Sequence, residues 1–566
     1  MQALDWIILS SSLIFIVVYG IWKGRGSKNI HGYLLANKSL HWYTIALSIM
    51  ATQASAITFL SAPGQAYVDG MRFVQYYFGL PIAMVILSVT AVPIFHRLNV
   101  YTAYEYLENR FDMKTRGLAA SLFLIQRGLA AGLTILAPSL ILSIIFGWNL
   151  TCTNLLIGAL VIIYTASGGT KAVNFTNFHQ LLIALGGMVC AFFMVIYLLP
   201  GDISFLDAVR VSGKLGRLNI TDFTFNLNNK YNIWSGLLGG TFLALSYFGT
   251  DQSQVQRYLT GKSVAQSRVA LLFNGMVKIP MQFFILFVGA MVFVFYQFEQ
   301  PPIFFNSYET AKIKSSTYAT QFHDLEIAHE KTHQYKKEQI RDLLSALKTG
   351  DEETITKAQQ GVKSAQNQDN EIRIEAINLM KTNDPGMDPQ DINYIFLTFV
   401  TDYLPAGIVG LVIAMVFAAS MSSTSSELNA LASTTVVDIY RRLIKKTGSD
   451  RHYVVVSKLA TVFWGLFAIW FATFVSGLGS LIEAVNILGS LFYGTILGIF
   501  LTAFYFKSIR GGASFFAAII AESVVLLCYF FKLPISFLWY NVIGCVLVII
   551  LAQIINPFLN YRDEQI

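Results

Sequence analysis

The sequence predicts an all-α polytopic membrane protein, and three observations carry that class. First, of 566 residues, 54% are hydrophobic, 14% aromatic and only 13% charged, with a mean hydropathy of +0.54; soluble proteins carry about twice that charged fraction. Second, apolar stretches near the roughly 20 residues that a bilayer core asks of a helix recur along the chain. Third, basic residues gather in alternate connections, as in a chain threaded repeatedly through a membrane. The formal net charge of +7 mainly reflects that asymmetry. It gives no argument for nucleic acid, and the partner implied is the lipid bilayer.

About thirteen spans are expected, at 5–22, 42–62, 73–96, 118–146, 150–166, 178–199, 233–257, 269–298, 394–426, 453–475, 479–506, 512–531 and 536–556. The first follows Asp5, lacks a basic leading segment and ends without a small-residue cleavage site, so a retained helix is expected rather than a signal peptide. Connections on one side hold Lys23, Arg25, Lys28 and Lys38, then Arg97, Arg110, Lys114 and Arg116, then Lys171, then Arg257, Lys262 and Arg268. Arg441, Arg442, Lys445, Lys446, Arg451, Lys507 and Arg510 follow on that side. The opposite side has short links such as Gly147-Trp148-Asn149 and two long segments. This asymmetry predicts a protein of the cell (inner) membrane with its N-terminus outside and its C-terminus in the cytoplasm. Cys152, Cys190, Cys528 and Cys545 all fall in apolar segments without metal-ligand or disulfide spacing, and read as core thiols.

Residues 200–232 are polar and are expected to cap the outer face. Residues 300–392 form a charged extracytoplasmic insertion with helical spacing from Leu325 to Leu347, and Gly350-Asp-Glu-Glu353 reads as a turn into a second helix. An exposed helical hairpin is expected there. A solvated cap is the plainer reading, and a surface that docks a partner is the alternative. His323, His329 and His333 include an i, i+4 pair, but no acidic cluster completes a zinc site.

Polar groups inside the spans point to function. The second span carries Gln53 and Ser55 among small residues, before Pro63-Gly64 ends the helix. Locally unwound backbone at membrane depth lines a cavity, and its freed carbonyls bind cations; a proline-terminated helix with polar packing residues is the competing reading. Between Ala418 and Leu428 the ninth span carries six hydroxyls and Glu427. Hydroxyl oxygens beside helix carbonyls are hard ligands suited to sodium, and they equally serve as interhelical glue. Arg127 lies about nine residues into its span, roughly 13 Å deep at 1.5 Å per residue, and Lys278 lies comparably deep. Buried cations of this kind hold an anionic substrate or pair with internal acids such as Asp251, Glu427 or Glu483; the bidentate fork of Arg127 makes it the better carboxylate ligand.

Several segments resemble the sodium:solute symporter family, with its sodium/glucose-cotransporter-like fold. They are Tyr33-Leu-Leu-Ala-Asn-Lys-Ser-Leu-His-Trp42, Ser55-Ala-Ile-Thr-Phe-Leu-Ser-Ala-Pro-Gly64, Tyr101-Thr-Ala-Tyr-Glu-Tyr-Leu-Glu-Asn-Arg-Phe111, Tyr164-Thr-Ala-Ser-Gly-Gly-Thr-Lys-Ala-Val173, and Gly249-Thr-Asp-Gln-Ser-Gln-Val-Gln-Arg-Tyr258. The serine run continuing to Leu428-Asn429 and Asp438-Ile-Tyr440 completes the set, and only 300–392 falls outside it. The resemblance implies two inverted five-helix repeats working by alternating access. The first repeat and the start of the second would fill 42–299, after a first helix and inner loop at 1–41. The rest of the second repeat would fill 393–506, and peripheral helices 507–566.

The resemblance also implies a sodium site using the carbonyls of Ala51, Ala54 and Ala419 and the hydroxyls of Ser422 and Ser423. A second sodium site maps to Ser422, Ser425 and Ser426, with its carboxylate expected in Asn174-Phe-Thr-Asn-Phe-His-Gln180. There this chain has Asn177 where aspartate is usual, and losing that charge removes several kcal/mol of Coulomb attraction at intermediate dielectric. One well-formed site is therefore expected, with the second weak or absent. Glu427 either supplies the missing charge or faces the inner vestibule. Substrate-binding positions map to Ser55, Thr58, Gln75, Tyr77, Arg127, Phe248, Asp251, Gln252 and Lys278.

The implied function is sodium-coupled import of a small polar organic solute, leaning to an organic anion such as sialic acid or another carboxylate. A neutral-solute or sugar symporter and a non-transporting sensor of the same fold are the alternatives. A membrane enzyme lacks support, because no His/Asp cluster, nucleophile motif or phosphate loop appears in the spans.

Overall fold

The computed structural model describes residues 1–24, 29–475 and 480–563. Arg25 and Lys28 of the expected inner loop, and residue 479 at the start of an expected span, lie outside them. Among the described residues the chain is helical throughout, with one isolated bridge between Leu40 and Gly261. The main helices are α1 (Ala3–Gly24), α2 (Trp42–Gln53), α3 (Ala56–Asp69), α4 (Leu80–Val89), α5 (Met113–Phe146), α6 (Leu150–Tyr197), α7 (Gly240–Gly249), α8 (Gln252–Leu259) and α9 (Val264–Phe298). They continue with α10 (Ala319–Thr349), α11 (Glu352–Asn383), α12 (Ile392–Tyr403), α13 (Ile408–Thr434), α14 (Asp450–Phe474), α15 (Leu481–Tyr505), α16 (Gly511–Phe530) and α17 (Phe537–Asp563).

Ten helical stretches among the described residues are long and apolar enough to cross a bilayer, with Leu150–Ile163 as a shorter apolar stretch. This is an integral membrane protein. Two of the thirteen expected spans, 42–62 and 233–257, are each a pair of shorter helices meeting at a break. In the first, Ala54 N donates to Met50 O at 2.8 Å, and the next main-chain bond, Thr58 N to Ser55 O at 2.9 Å, already belongs to α3. The break thus falls at Ala54–Ser55 and not at the proline: α3 runs through Pro63 to Asp69. Neighbouring helices in a membrane protein compensate the backbone group that a proline leaves unpaired.

The expected span 394–426 is also two helices. Leu404 precedes Pro405 and is extended, with φ −83° and ψ 144°, as proline requires of its predecessor, and Gly407 turns the chain at φ +89°. Asp5 of α1 then caps the new helix, accepting from Gly407 N at 2.6 Å and Gly410 N at 2.9 Å. The expected spans 150–166 and 178–199 share α6, which is interrupted at Gly169 (φ 61°, ψ −172°). There a Cβ would lie 2.7 Å from the Tyr33 ring, so both the positive φ and the close approach call for glycine.

Helix α13 is the axis of the molecule. It packs against α1, α2, α3, α5, α6 and α8 and is buried at nearly every position. The opposite pattern marks the lipid-facing ring: Ile14 of α1, Phe463 and Trp470 of α14 and Ile554 of α17 are each more than half exposed. Cys152 is also exposed, so it faces outward from α6 and is not a core thiol.

Helices α10 and α11 form a hairpin joined at Gly350, which adopts φ +75°, with Asp351 capping α11 through Thr354 N at 3.2 Å. The hairpin covers a small separate core that includes Ile303, Phe304, Phe322, Ala376 and Met380. Buried charges tie it down. Asp369 pairs with Lys336 at 3.0 Å and with His329 at 2.6 Å, and Arg373 pairs with Asp391 at 2.7 Å.

Candidate functional site

Two interrupted helices, α2/α3 and α7/α8, and the serine-rich middle of α13 come together around a cavity of about 90 Å³. The α2/α3 break contributes Thr52, Gln53, Ser55 and Thr58, α5 contributes Arg127 and Thr134, and α13 contributes Ser423 and Glu427. Tyr76, Tyr77, Tyr247, Asn486 and Tyr493 complete the polar lining.

Arg127 is 3% exposed and is held from several sides. Its Nη2 meets Asp251 Oδ2 and the Tyr493 hydroxyl, its Nη1 donates to Glu427 Oε1 at 3.1 Å, and its guanidinium carbon lies 5.4 Å over the Tyr247 ring. Asp251 is itself fixed, accepting from Tyr493 OH at 2.9 Å, from Ser253 N at 2.8 Å and from Ser253 Oγ at 2.6 Å. It caps α8 while neutralising the arginine. A buried cation of this kind needs such partners, and an arginine with two carboxylates sits in a region of net negative formal charge.

The serine run reaches the broken helix directly. Ser423 Oγ donates to Thr52 O at 3.0 Å, between Ala51 and Ala54, whose side chains, like that of Ala419, are buried. Ser422 Oγ is buried and has no hydrogen-bond partner among the described residues. A hydroxyl with free lone pairs, beside a helix break that releases carbonyls, is the donor set a hard cation takes.

A second cluster lies alongside. Ser48 Oγ, Thr52 Oγ1 and Ser426 Oγ surround Asn177 Nδ2 at 3.1, 3.3 and 3.3 Å. Thr52 and Ser426 direct their hydroxyl hydrogens at the carbonyls of Ser48 (2.8 Å) and Ser422 (2.9 Å). Their lone pairs therefore face Asn177, which answers with its NH₂ group. Ser425 Oγ instead donates to Ser422 O at 3.1 Å. Among the described residues Glu427 bonds Arg127 and Thr134 rather than Asn177, and it borders the central cavity.

Five of the expected residues therefore meet at the cavity: Ser55, Thr58, Tyr77, Arg127 and Ser423. The others lie elsewhere. Gln75 bonds Tyr231 O at 3.0 Å and Asp222 N at 3.1 Å, fastening the segment after α3 to the outer loop. Phe248 packs on Tyr247 with ring centroids 4.9 Å apart. Gln252 bonds Tyr101 O and Ala103 N at 2.9 and 3.1 Å, and so braces the loop before Glu105. Asp251 stands behind Arg127. Lys278 is fully buried, with its Nζ 5.4 Å from the centroid of the Tyr77 ring, and it lies outside the cavity lining. Sequence reasoning missed Tyr76, Thr134, Tyr247, Asn486 and Tyr493; Tyr76, between the expected Gln75 and Tyr77, and Tyr247, beside Phe248 ahead of the Gly249 motif, carried a signal.

Polar contacts stand on either side of the cavity. Tyr76 OH donates to Asn486 Oδ1 at 2.9 Å, and Glu483 accepts from Lys230 at 2.8 Å and Tyr231 OH at 3.0 Å. At the other end, Asp438 accepts from Thr102 at 2.7 Å and pairs with Arg116 at 2.6 Å, and Arg442 pairs with Glu108 at 3.2 Å.

The Sodium:solute symporter family profile matches residues 33–317 and 376–521, well over half of the chain. The sodium/sialic acid symporter SiaT of Proteus mirabilis is 26% identical over 568 residues, covering 98% of this chain and 95% of that one. Sodium-coupled monocarboxylate transporter 1 of Xenopus laevis is 26% identical over 509 residues, covering 88% of this chain and 67% of that one. A solved Na⁺-coupled sialic acid symporter, in a substrate-bound outward-open state, superposes with a TM-score of 0.74 at 22% identity over 98% of both chains, which shows a shared fold.

Proposed function

Because the chain belongs to the sodium:solute symporter family, a family of transporters, we propose that it imports a small organic anion with sodium as the coupling ion. The observation that carries this reading is the union of Ser423 with the α2/α3 break on the wall of the cavity that holds Arg127. Sodium would be held by Ser422 and Ser423 with the carbonyls of Ala51, Ala54 and Ala419, and the substrate carboxylate by Arg127. Thr58, Ser55, Gln53 and Asn486 would meet its polar groups. The relatives' names, a sialic acid symporter and a monocarboxylate transporter, support a carboxylated substrate.

At the second cluster the Asn177 NH₂ group stands where a cation would need converging lone pairs, and among the described residues no carboxylate bonds it. One sodium ion per cycle follows. With a monovalent anion this cycle is electroneutral and draws only on the chemical gradient; with a neutral solute each inward charge gains about 2.3 kcal/mol per 100 mV. The Arg116–Asp438 and Tyr76–Asn486 contacts would break alternately as access changes sides. The distribution of basic loops supports an orientation with Tyr76 towards the outer side and Arg116 towards the cytoplasm, in the cell's inner membrane.

A neutral solute is the second reading, favoured by the two carboxylates already on Arg127. A thermal-shift screen of the full chain in detergent separates the two. Carboxylates such as N-acetylneuraminate and lactate should raise the transition in sodium and not in potassium, because stabilisation follows occupancy. Equal stabilisation by carboxylates in both salts would overturn the coupling to sodium, and stabilisation by neutral sugars alone would overturn the anion reading.

A further inference from the structure

We infer that Glu427 is a resident stand-in for the substrate carboxylate on Arg127, displaced when substrate binds; this rests on the organic-anion reading above. The two acids on Arg127 differ in how they are held. Asp251 is anchored by Tyr493, by Ser253 N and by Ser253 Oγ, and lies outside the cavity lining. Glu427 borders the cavity and is held only by Arg127 Nη1 at 3.1 Å and by a long approach of Thr134 Oγ1 at 3.5 Å. Its Oε2 is buried and has no hydrogen-bond partner among the described residues, and neither has Arg127 Nε. One acid is built in, and the other is replaceable.

Charge decides what a third carboxylate does. Arg127, Asp251 and Glu427 together carry one net negative charge when ionised. An incoming carboxylate added to that set would crowd a low-dielectric site with like charges, which is strongly unfavourable. Exchange avoids this: a substrate carboxylate oxygen takes the Nη1 hydrogen bond that Glu427 holds, while Asp251 keeps Nη2, as a charge-assisted contact, and Glu427 swings off it.

The displaced carboxylate then needs a cation. Glu427 lies four residues after Ser423, one helical turn away on the same face of α13, so sodium beside Ser423 is the nearest candidate. Occupation of Arg127 by an anion thus strengthens sodium binding, and by reciprocity sodium strengthens anion binding. Neutral solutes cannot displace Glu427, so the same residue selects for anions.

Equilibrium binding of N-acetylneuraminate and lactate to the purified full chain tests this in saturating sodium. Glu427→Gln keeps the shape and removes the charge, and Glu427→Ala removes the side chain. Both should bind at least one of these carboxylates about tenfold more tightly than the wild type and show weaker sodium dependence of that binding. If the wild type binds a carboxylate and neither variant binds it more tightly, the inference fails while the anion reading stands. If wild type and variants bind no carboxylate, both fail. A carboxylate-bound structure of the wild type gives an answer free of variant folding: Glu427 should leave Arg127, and an intact 3.1 Å contact beside a bound carboxylate would overturn the exchange.

Discussion

Three hydroxyl oxygens, from Ser48, Thr52 and Ser426, converge on the Asn177 amide within 3.3 Å. Replacing that amide by a carboxylate would turn three acceptors and a donor into an all-oxygen set with a negative charge, the kind of site sodium occupies. Asn177→Asp should therefore add a second sodium ion, raising the Hill coefficient of sodium-dependent uptake from near 1 towards 2. Ser423→Ala removes the hydroxyl that touches the broken helix, and should raise the sodium concentration for half-maximal uptake about tenfold or more with little loss of stability. Residues at this scale were legible where they broke a local pattern, as Ser55, Arg127 and the serine run do in apolar spans. Asn486 and Tyr493 were not, because polar-tipped residues in otherwise regular apolar helices look like ordinary packing until tertiary structure aims them inward.

The helices teach a similar lesson about breaks. Small and polar residues around Ala54 announced unwound backbone, and the break is there; Pro63 looked like a terminator, yet α3 continues through it. Pro405 with Gly407 does end a helix, because Gly407 turns the chain and Asp5 stands ready to cap the next one. That capping residue lies about 400 positions away in sequence, beyond the reach of any local signal. The α10/α11 hairpin carries a prediction of its own. His333 is 1% exposed and, among the described residues, has no hydrogen-bond partner on either ring nitrogen, and burial, then the Lys336 ammonium and His329, push its pKa down to about 4. The unfolded hairpin, with an ordinary histidine near 6.5, takes up the proton first as pH falls. Stability is then full above about pH 6.5 and declines towards pH 4. Burial opposes ionisation of Asp369, but His329 and Lys336 outweigh it and hold its carboxyl well below the usual range, so that pair stays intact throughout this window. Hydrogen exchange of α10, corrected for intrinsic rates, should quicken between pH 7.5 and 5, and His333→Leu should abolish most of that change. Unchanged protection would contradict the assignment.

At the scale of the molecule, hydropathy and loop charge conveyed the class, the membrane setting and most of the spans, since lipid imposes those constraints along the sequence. The central cavity needed the fold, because it is assembled from segments as distant as Thr52, Arg127, Glu427 and Tyr493. In the proposed function they join as a coupled device, with sodium beside Ser423 on the α2/α3 break and an anion on Arg127. Uptake of radiolabelled N-acetylneuraminate or lactate into proteoliposomes, with an inward sodium gradient and with potassium in its place, tests that claim most directly. Accumulation against the carboxylate gradient that requires the sodium gradient, and that is lost in Arg127→Ala, is the predicted result. Flux of the carboxylates that is indifferent to the sodium gradient would contradict it.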